Sequence, residues 1–291
     1  MAHIGGGEST EGAIDEQVRH AVTKAAHLHF VSTWHYGRCL RQMGEEAWRI
    51  HVVGSLAVEN IRRGEMATPE ELRTKHGIDP SLRTLLITFH PETLTADRSV
   101  LLEQLRCLCD ALGEFRECQQ VITYPGTEAG WEAILAAWRE YVAGEPNAKL
   151  FVSLGSRAYL GLMKCAAAVV GNSSSGIIEA PSLKVPTVNI GDRQKGRIRA
   201  PSVIDVACRR EDIVAGIRKA LYDSEFRRLL KDVENPYDPH GDGNVSGRIV
   251  EVLERVPLDR RLLEKRLGFP TAEEVAAFEA RVHNRRSRGQ P

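Results

Sequence analysis

The fold is decided by the stretch Val169-Val170-Gly171-Asn172-Ser173-Ser174-Ser175-Gly176-Ile177-Ile178-Glu179-Ala180-Pro181. An apolar strand ends at a glycine, and serines with a second glycine then open a helix. Such a turn presents backbone N–H groups and hydroxyls to a phosphate beyond the carboxyl end of a strand, where open α/β sheets bind ligands. Glu179 follows one turn later, where its carboxylate suits ribose hydroxyls. The alternative is a run of helix-capping serines that binds nothing.

The same alternation of short strands and helices continues along most of the chain. Eight β-branched segments predict strands: Leu28–Ser32, Arg49–Val53, Leu85–Phe89, Gln120–Tyr124, Leu150–Leu154, Ala167–Val170, Thr187–Ile190 and Val203–Val206. Apolar residues at helical spacing predict helices: Asp15–Ala26, Val100–Leu112, Trp131–Val142 and Ala158–Ala166. Because alternating strands and helices form βαβ units, we expect an α/β fold of doubly wound type with a mainly parallel sheet.

The composition narrows the class of protein. The 291 residues include 39 basic and 39 acidic side chains, so the formal net charge is zero. A binder of nucleic acid or of a membrane surface would need a basic excess, and no apolar run approaches the ~18 residues of a spanning helix. Neither partner is therefore expected. The six cysteines stand at scattered positions in apolar segments, which favours reduced thiols in a cytoplasmic protein.

Strand density along the chain indicates the domain organisation. Residues 1–60 contain two strand candidates, too few for a closed Rossmann-like domain, so we interpret them as the remnant of one. Residues 61–83 are charged and helical without a strand and predict a linker. Residues 84–250 hold six strand candidates, enough for a complete domain. Residues 251–291 predict a charged helical tail.

Two further segments place chemistry at strand ends of the second domain. His90, in Thr88-Phe89-His90-Pro91, follows a buried strand and, when protonated, is suited to contact a phosphate; the alternative is a structural histidine. The loop Gly191-Asp192-Arg193-Gln194-Lys195-Gly196-Arg197 carries three cations after the strand Thr187–Ile190. It suits an anionic ligand or a subunit contact, unless it is simply a solvated loop.

The opening of the chain combines glycines with carboxylates. Gly5-Gly6-Gly7-Glu8 leads through Glu11 into a helix that starts at Asp15, and acids at that point are either catalytic or helix caps. His27 and His29 lie on one face of a predicted strand, but no third metal ligand accompanies them. We therefore predict neither a metal nor a cofactor.

The segments Gly171–Pro181, Thr88–Pro91 and Asn235-Pro236-Tyr237, with Val185–Arg197, closely resemble the hydrolysing UDP-N-acetylglucosamine 2-epimerases. The opening, with Thr10-Glu11-Gly12-Ala13, is similar to the branch of that family that serves sialic and legionaminic acid synthesis. The resemblance implies two Rossmann-like domains of glycosyltransferase-B type, with the active site in the cleft between them, and a homodimer. In the relatives, opening strands and a catalytic aspartate precede the His3 region, so the N-terminal domain is expected to be incomplete.

The resemblance also implies a reaction and its residues. The family eliminates UDP from UDP-N-acetylglucosamine or a bacillosamine analogue, and hydration of the resulting glycal inverts C2. The matching positions are Asp15 for a catalytic carboxylate, His90 for the diphosphate, Ser174, Ser175 and Gly176 for the phosphate loop, Glu179 for the ribose, and Arg193 to Arg197 for the adjoining loop. Glu8 is a further catalytic candidate, because Gly5 stands where relatives have a glutamate or a histidine. A catalytically impaired UDP-sugar-binding fragment and a glycosyltransferase remain the alternatives.

Overall fold

The computed structural model describes residues 1–92, 98–268, 271–273 and 276. The chain forms two compact units. The three-stranded unit contains Met1–Ser9, Asp15–Arg63 and the described residues from Glu234 onward, and the six-stranded unit contains Thr10–Ile14 and Gly64–Val233. No helix in the described part of the chain combines the length and the apolar character that crossing a membrane requires.

The three-stranded unit is a parallel sheet with helices. Its strands, in the order β1-β2-β3, are Ala2–Ile4 (β1), Leu28–Val31 (β2) and Ile50–Val52 (β3). Its helices are Asp15–Ala25 (α1), Trp34–Gln42 (α2), Leu56–Arg63 (α3), Val245–Arg255 (α11) and Arg260–Leu263 (α12). The strand β1 was missed by the sequence prediction because it has only three residues, two of them exposed.

The helix α11 completes the core of the three-stranded unit. Val245 and Ile249 pack with Leu28 and Phe30 of β2. Residues 234–250 thus belong to this unit, whereas the sequence assigned them to the domain 84–250. An amphipathic pattern shows that one helix face is buried but does not show which sheet covers it. Of the predicted tail 251–291, the residues from 277 onward lie outside the described part.

The six-stranded unit has the strand order of a Rossmann fold. Its strands are Thr84–Thr88 (β4), Gln119–Thr123 (β5), Ala148–Phe151 (β6), Ala168–Gly171 (β7), Thr187–Ile190 (β8) and Val203–Val206 (β9). All pair in parallel, in the order β6-β5-β4-β7-β8-β9. The order reverses between β4 and β7, and ligands bind beyond the carboxyl ends of the strands at such a point. Each of the eight predicted strands overlaps an observed one.

Helices cover both faces of this sheet. They are Pro69–His76 (α4), Arg98–Leu112 (α5), Trp131–Gly144 (α6), Gly155–Cys165 (α7), Ser175–Ile178 (α8), Arg210–Tyr222 (α9) and Ser224–Leu229 (α10). Leu85 and Ile87 of β4 pack into one buried cluster with residues of α5, α6 and α9. Leu86, on the opposite face, packs into another with residues of α4 and α7. Burial on both faces is why these strands read as continuous apolar runs.

The region predicted as a linker, 61–83, is largely part of the six-stranded unit. Leu72 of α4 and the following Ile78 are fully buried in the core of that unit. The helix begins at a capping box between Thr68 and Glu71 and ends at Gly77, whose φ of 61° is left-handed. The region has no strand, as predicted, but its few apolar side chains fix it to the sheet.

Candidate active site

The candidate site begins where β4 and β7 end side by side. Their parallel pairing aligns Thr88 with Gly171, so the segments that follow both strands leave the sheet together. Gly171 has a φ of 132°, and a Cβ there would overlap the carbonyl oxygen of Thr88. Only glycine fits a backbone that is both left-handed and this close to its neighbour.

Asn172 fixes the backbone of His90. Its Oδ1 accepts the His90 N–H at 2.7 Å, and its Nδ2 donates to the His90 carbonyl oxygen at 2.9 Å. The Asn172 side chain is fully buried, so these two bonds are shielded from water. The residue after β7 therefore holds the residue after β4 at the switch point of the sheet.

The His90 imidazole lies beside the loop that follows β5. Its Nδ1 accepts the backbone N–H of Gly126 at 3.0 Å and lies 3.6 Å from Oε2 of Glu128. The other oxygen of Glu128, Oε1, accepts a hydrogen bond from Nη2 of Arg193 at 2.7 Å. Glu128, which was not predicted from the sequence, thus lies between His90 and Arg193, which were.

Hydroxyl groups fix the conformation of the serine loop, Ser173–Gly176. Ser175 Oγ lies 2.7 Å from the Tyr159 hydroxyl and 3.1 Å from Ser173 Oγ. Gly176 packs against β8, where Thr187 Oγ1 donates to its carbonyl oxygen at 2.7 Å. A Cβ on Gly176 would lie 2.5 Å from Thr187 Cγ2, so the close approach requires glycine. The predicted helix after this loop is only the four-residue α8, followed by a 3₁₀ turn over Ala180–Leu183.

Glu179 directly follows α8 and is half-buried. Burial raises the pKa of its carboxyl to about 7, and among the described residues no cation opposes that effect. The side chain is therefore close to the protonation balance of physiological pH. A carboxyl in this state is able to accept or to donate a hydrogen bond.

The loop after β8 is hydrogen-bonded to Asn172, the residue that precedes the serine loop. Gln194 Nε2 donates to the carbonyl oxygen of Asn172 at 2.9 Å, and Arg193 Nη1 to the same oxygen at 3.4 Å. Arg197 is buried and Lys195 is exposed. The segment Thr10–Ile14 packs on this loop: a Cβ on Gly12 would lie 2.6 Å from Arg193 Cα, which explains the glycine.

The remaining predicted residues, Glu8 and Asp15, lie in the three-stranded unit. Glu8 Oε1 accepts a hydrogen bond from the Ser32 hydroxyl at 2.7 Å, and its carbonyl oxygen accepts one from Arg19 at 2.9 Å. Asp15 is the exposed first residue of α1. His29 lies buried against Glu45, with Nε2 and Oε2 2.9 Å apart. Within the described ranges, no group of three potential metal ligands occurs.

Two residues of the site were not predicted from the sequence, Asn172 and Glu128. Asn172 stood inside the quoted strand-turn-helix segment, and a polar residue at the end of a buried strand was the available signal. Glu128 lies in Tyr124-Pro125-Gly126-Thr127-Glu128, a turn after a predicted strand, and nothing in that turn distinguishes it from a solvated carboxylate.

Comparisons with known proteins cover most of the chain. A family model described as UDP-N-acetylglucosamine 2-epimerase matches residues 1–254. The polysialic acid biosynthesis protein P7 of Escherichia coli is 37% identical over 239 residues, which is 81% of this chain and 60% of that protein. The GDP/UDP-N,N'-diacetylbacillosamine 2-epimerase (hydrolyzing) of Campylobacter jejuni is 39% identical over 206 residues, 70% of this chain and 53% of that protein.

Solved structures share the fold at low sequence identity. The UDP-GlcNAc 2-epimerase of Neisseria meningitidis bound to UDP-GlcNAc matches with a TM-score of 0.74 and 17% identity, over 88% of this chain and 70% of that one. This likeness confirms the predicted α/β fold of glycosyltransferase-B type. The chain spans 60% and 53% of the two curated relatives named above. By its match over residues 1–254, the chain belongs to the UDP-N-acetylglucosamine 2-epimerase family.

Proposed function

We propose that this chain is a hydrolysing 2-epimerase that releases UDP from a UDP-2-acetamido sugar and inverts the sugar at C2. One observation carries the proposal: His90 and the loop Ser173–Gly176 lie side by side at the switch point of a Rossmann-type sheet. Family membership supports the reaction type. The relatives from Campylobacter jejuni and Legionella pneumophila, both named as hydrolysing enzymes, support the addition of water.

The six-stranded unit supplies the proposed UDP contacts. Backbone N–H groups and hydroxyls of Ser174, Ser175 and Gly176 suit the diphosphate oxygens, and His90 adds a donor beside them. Arg193 and Arg197 provide positive charge from the loop after β8. Glu179 accepts the ribose hydroxyls, and hydrogen bonds to its carboxylate favour the ionised form that burial disfavours.

The proposed reaction has two balanced steps. A carboxylate removes the proton from C2, the electron pair forms a C1–C2 double bond, and the C1–O bond to the diphosphate breaks with departure of UDP. Water then adds across the double bond, its oxygen to C1 and a proton to C2 on the opposite face. Asp15 and Glu8 are the carboxylates proposed to move these protons. The cationic and N–H groups of the six-stranded unit stabilise the charge that develops on the departing diphosphate.

Proton NMR of the purified chain with UDP-N-acetylglucosamine in deuterated water tests this proposal. We expect free UDP and N-acetylmannosamine that carries deuterium at C2, because the C2 proton exchanges with solvent during the reaction. The variant His90→Ala, confirmed to be folded, is the matched control and should give neither product. Absence of both products from the parent chain with this sugar and with UDP-N,N'-diacetylbacillosamine would refute the proposal.

A second candidate function is binding of a UDP-sugar without turnover. It is favoured by the observation that every proposed UDP contact lies within the six-stranded unit. Under this candidate, calorimetry shows UDP binding while the NMR spectrum of the substrate stays unchanged. A glycosyltransferase would instead transfer the sugar to an acceptor without exchange of the C2 proton.

A further inference from the structure

Glu128 lies between two basic side chains of the site, His90 and Arg193. It lies in the turn after β5, whereas His90 follows β4 and Arg193 follows β8. Its two carboxylate oxygens face different neighbours: Oε1 forms an ion pair with Arg193 Nη2 at 2.7 Å, and Oε2 lies 3.6 Å from His90 Nδ1. One carboxylate thus links groups that come from three separate strand ends.

The environment of Glu128 keeps it ionised. The His90 imidazole and the Arg193 guanidinium hold the pKa of its carboxyl below the ordinary value, against a burial that would raise it. The side chains of all three residues are less than one third exposed, at 29% for Glu128, 17% for His90 and 11% for Arg193. Attraction between partly buried charges is weakly screened by solvent, so this carboxylate and the Arg193 guanidinium hold each other in place.

The cluster has hydrogen-bonding capacity that the described residues do not use. Glu128 Oε2 and Arg193 Nε are buried and make no hydrogen bond with any described residue, and the same holds for Gln194 Oε1. Buried polar atoms without partners are rare in folded proteins, and a functional role is one explanation for them. These three atoms lie where the turn after β5 contacts the loop after β8. A ligand or a small shift of the side chains would supply their missing hydrogen-bond partners.

We propose that Glu128 is a positioning residue, whose carboxylate holds Arg193 beside His90 for the diphosphate of a UDP-sugar. The proposal rests on the proposed function and goes beyond it, because Glu128 itself carries the same charge as the diphosphate and is not a ligand for it. Without this carboxylate, the one remaining hydrogen bond from the Arg193 side chain to a described residue of the site is to the Asn172 carbonyl oxygen, at 3.4 Å. That bond alone leaves the guanidinium free to rotate away from His90.

The alternative role is that the Glu128 carboxylate occupies the place of the substrate diphosphate beside Arg193 while no substrate is bound. In that case the diphosphate displaces Glu128 from Arg193, and removal of the carboxylate strengthens UDP binding. The two roles therefore predict changes of opposite sign in the UDP dissociation constant. A purely structural role predicts a change in thermal stability with an unchanged dissociation constant.

A double-mutant cycle on UDP affinity tests the proposal. Isothermal titration calorimetry with UDP would compare the parent chain with Glu128→Gln, Arg193→Met and the double variant. We expect Glu128→Gln to weaken UDP binding about tenfold, and to have less than about a twofold effect once Arg193 is already replaced, because residues that act together are not additive. Glu132→Gln, an exposed glutamate at the start of α6, is the matched control and should leave the affinity unchanged.

The outcomes separate this proposal from the proposed function. Unchanged or tighter UDP binding by Glu128→Gln, or equal effects of that change in both backgrounds, overturns the positioning role alone. A parent chain that binds no UDP overturns the proposed function and this role with it. Glu128→Asp keeps the charge but shortens the side chain, so it covers the case in which Glu128→Gln does not fold. We expect it to weaken UDP binding as well, and parent-like affinity of this variant would also overturn the role.

Discussion

Replacing Glu179 by glutamine should stabilise the protein, and the gain should depend on pH. Burial raises the pKa of the Glu179 carboxyl from 4.5 to about 7. Below about pH 4.5 the folded and unfolded states both hold the proton. Between that pH and about pH 7 the unfolded chain releases it while the folded chain retains it, so the free energy of unfolding falls as pH rises. Each pKa unit corresponds to about 1.4 kcal/mol, so the full loss approaches about 3 kcal/mol above pH 7.

Denaturant unfolding of the parent chain and Glu179→Gln at several pH values measures this effect. We expect the two proteins to be equally stable near pH 4.5, and the variant to be more stable by about 2–3 kcal/mol near pH 8. Glu140→Gln, at an exposed position of α6 in the same unit, is the control and should show no such divergence. A stability difference between Glu179→Gln and the parent chain that stays constant across this pH range would refute the reasoning.

Three further predictions concern single residues of the two units. Gly171→Ala should destabilise the six-stranded unit by more than about 3 kcal/mol, because the Cβ would overlap the Thr88 carbonyl oxygen; a melting temperature within a few degrees of the parent would contradict this. His90→Ala should keep its far-ultraviolet circular dichroism spectrum and lose turnover in the NMR assay, and an unchanged rate would remove its assigned role. Asp15→Asn alters an exposed side chain, so we expect stability within about 1 kcal/mol of the parent and a rate at least ~100-fold lower. Parent-like turnover would exclude Asp15 as a proton-transferring group.

The fold of the six-stranded unit was accessible from sequence because its strands are buried on both faces. Runs such as Leu85–Phe89 and Ala167–Val170 are continuous and apolar, and stretches with helical spacing lie next to them in the sequence, at Val100–Leu112 and Ala158–Ala166. The same reasoning missed β1, whose three residues are too few to show a period. It also assigned residues 234–250 to the second domain, whereas the chain returns to the three-stranded unit after Val233, because the apolar positions of a helix do not show which sheet it covers.

The site residues that could be predicted from the sequence are those that follow closely after a strand. Gly171, Ser174 and His90 stand at positions where a strand ends, so the switch-point rule applies to them. Glu128 lies five residues beyond the end of β5, and its contacts to His90 and Arg193 depend on the path of that turn. Spacing in the sequence does not encode such a path, since the three partners are 38 and 65 residues apart, counted from Glu128 to His90 and to Arg193.

Two glutamates of the six-stranded unit, Glu128 and Glu179, have carboxyl pKa values that are shifted in opposite directions. His90 and Arg193 lower the pKa of the Glu128 carboxyl although it is partly buried, whereas burial raises the pKa of Glu179 to about 7. At neutral pH, Glu128 is therefore a negative charge that pairs with the Arg193 guanidinium, and Glu179 is divided between its charged and neutral forms. Environments that separate two carboxyl pKa values in this way assign separate roles to them. Under the proposed function, Glu128 acts on the protein's own cations, and Glu179 is the carboxyl whose protonation responds to the arrival of ribose hydroxyls.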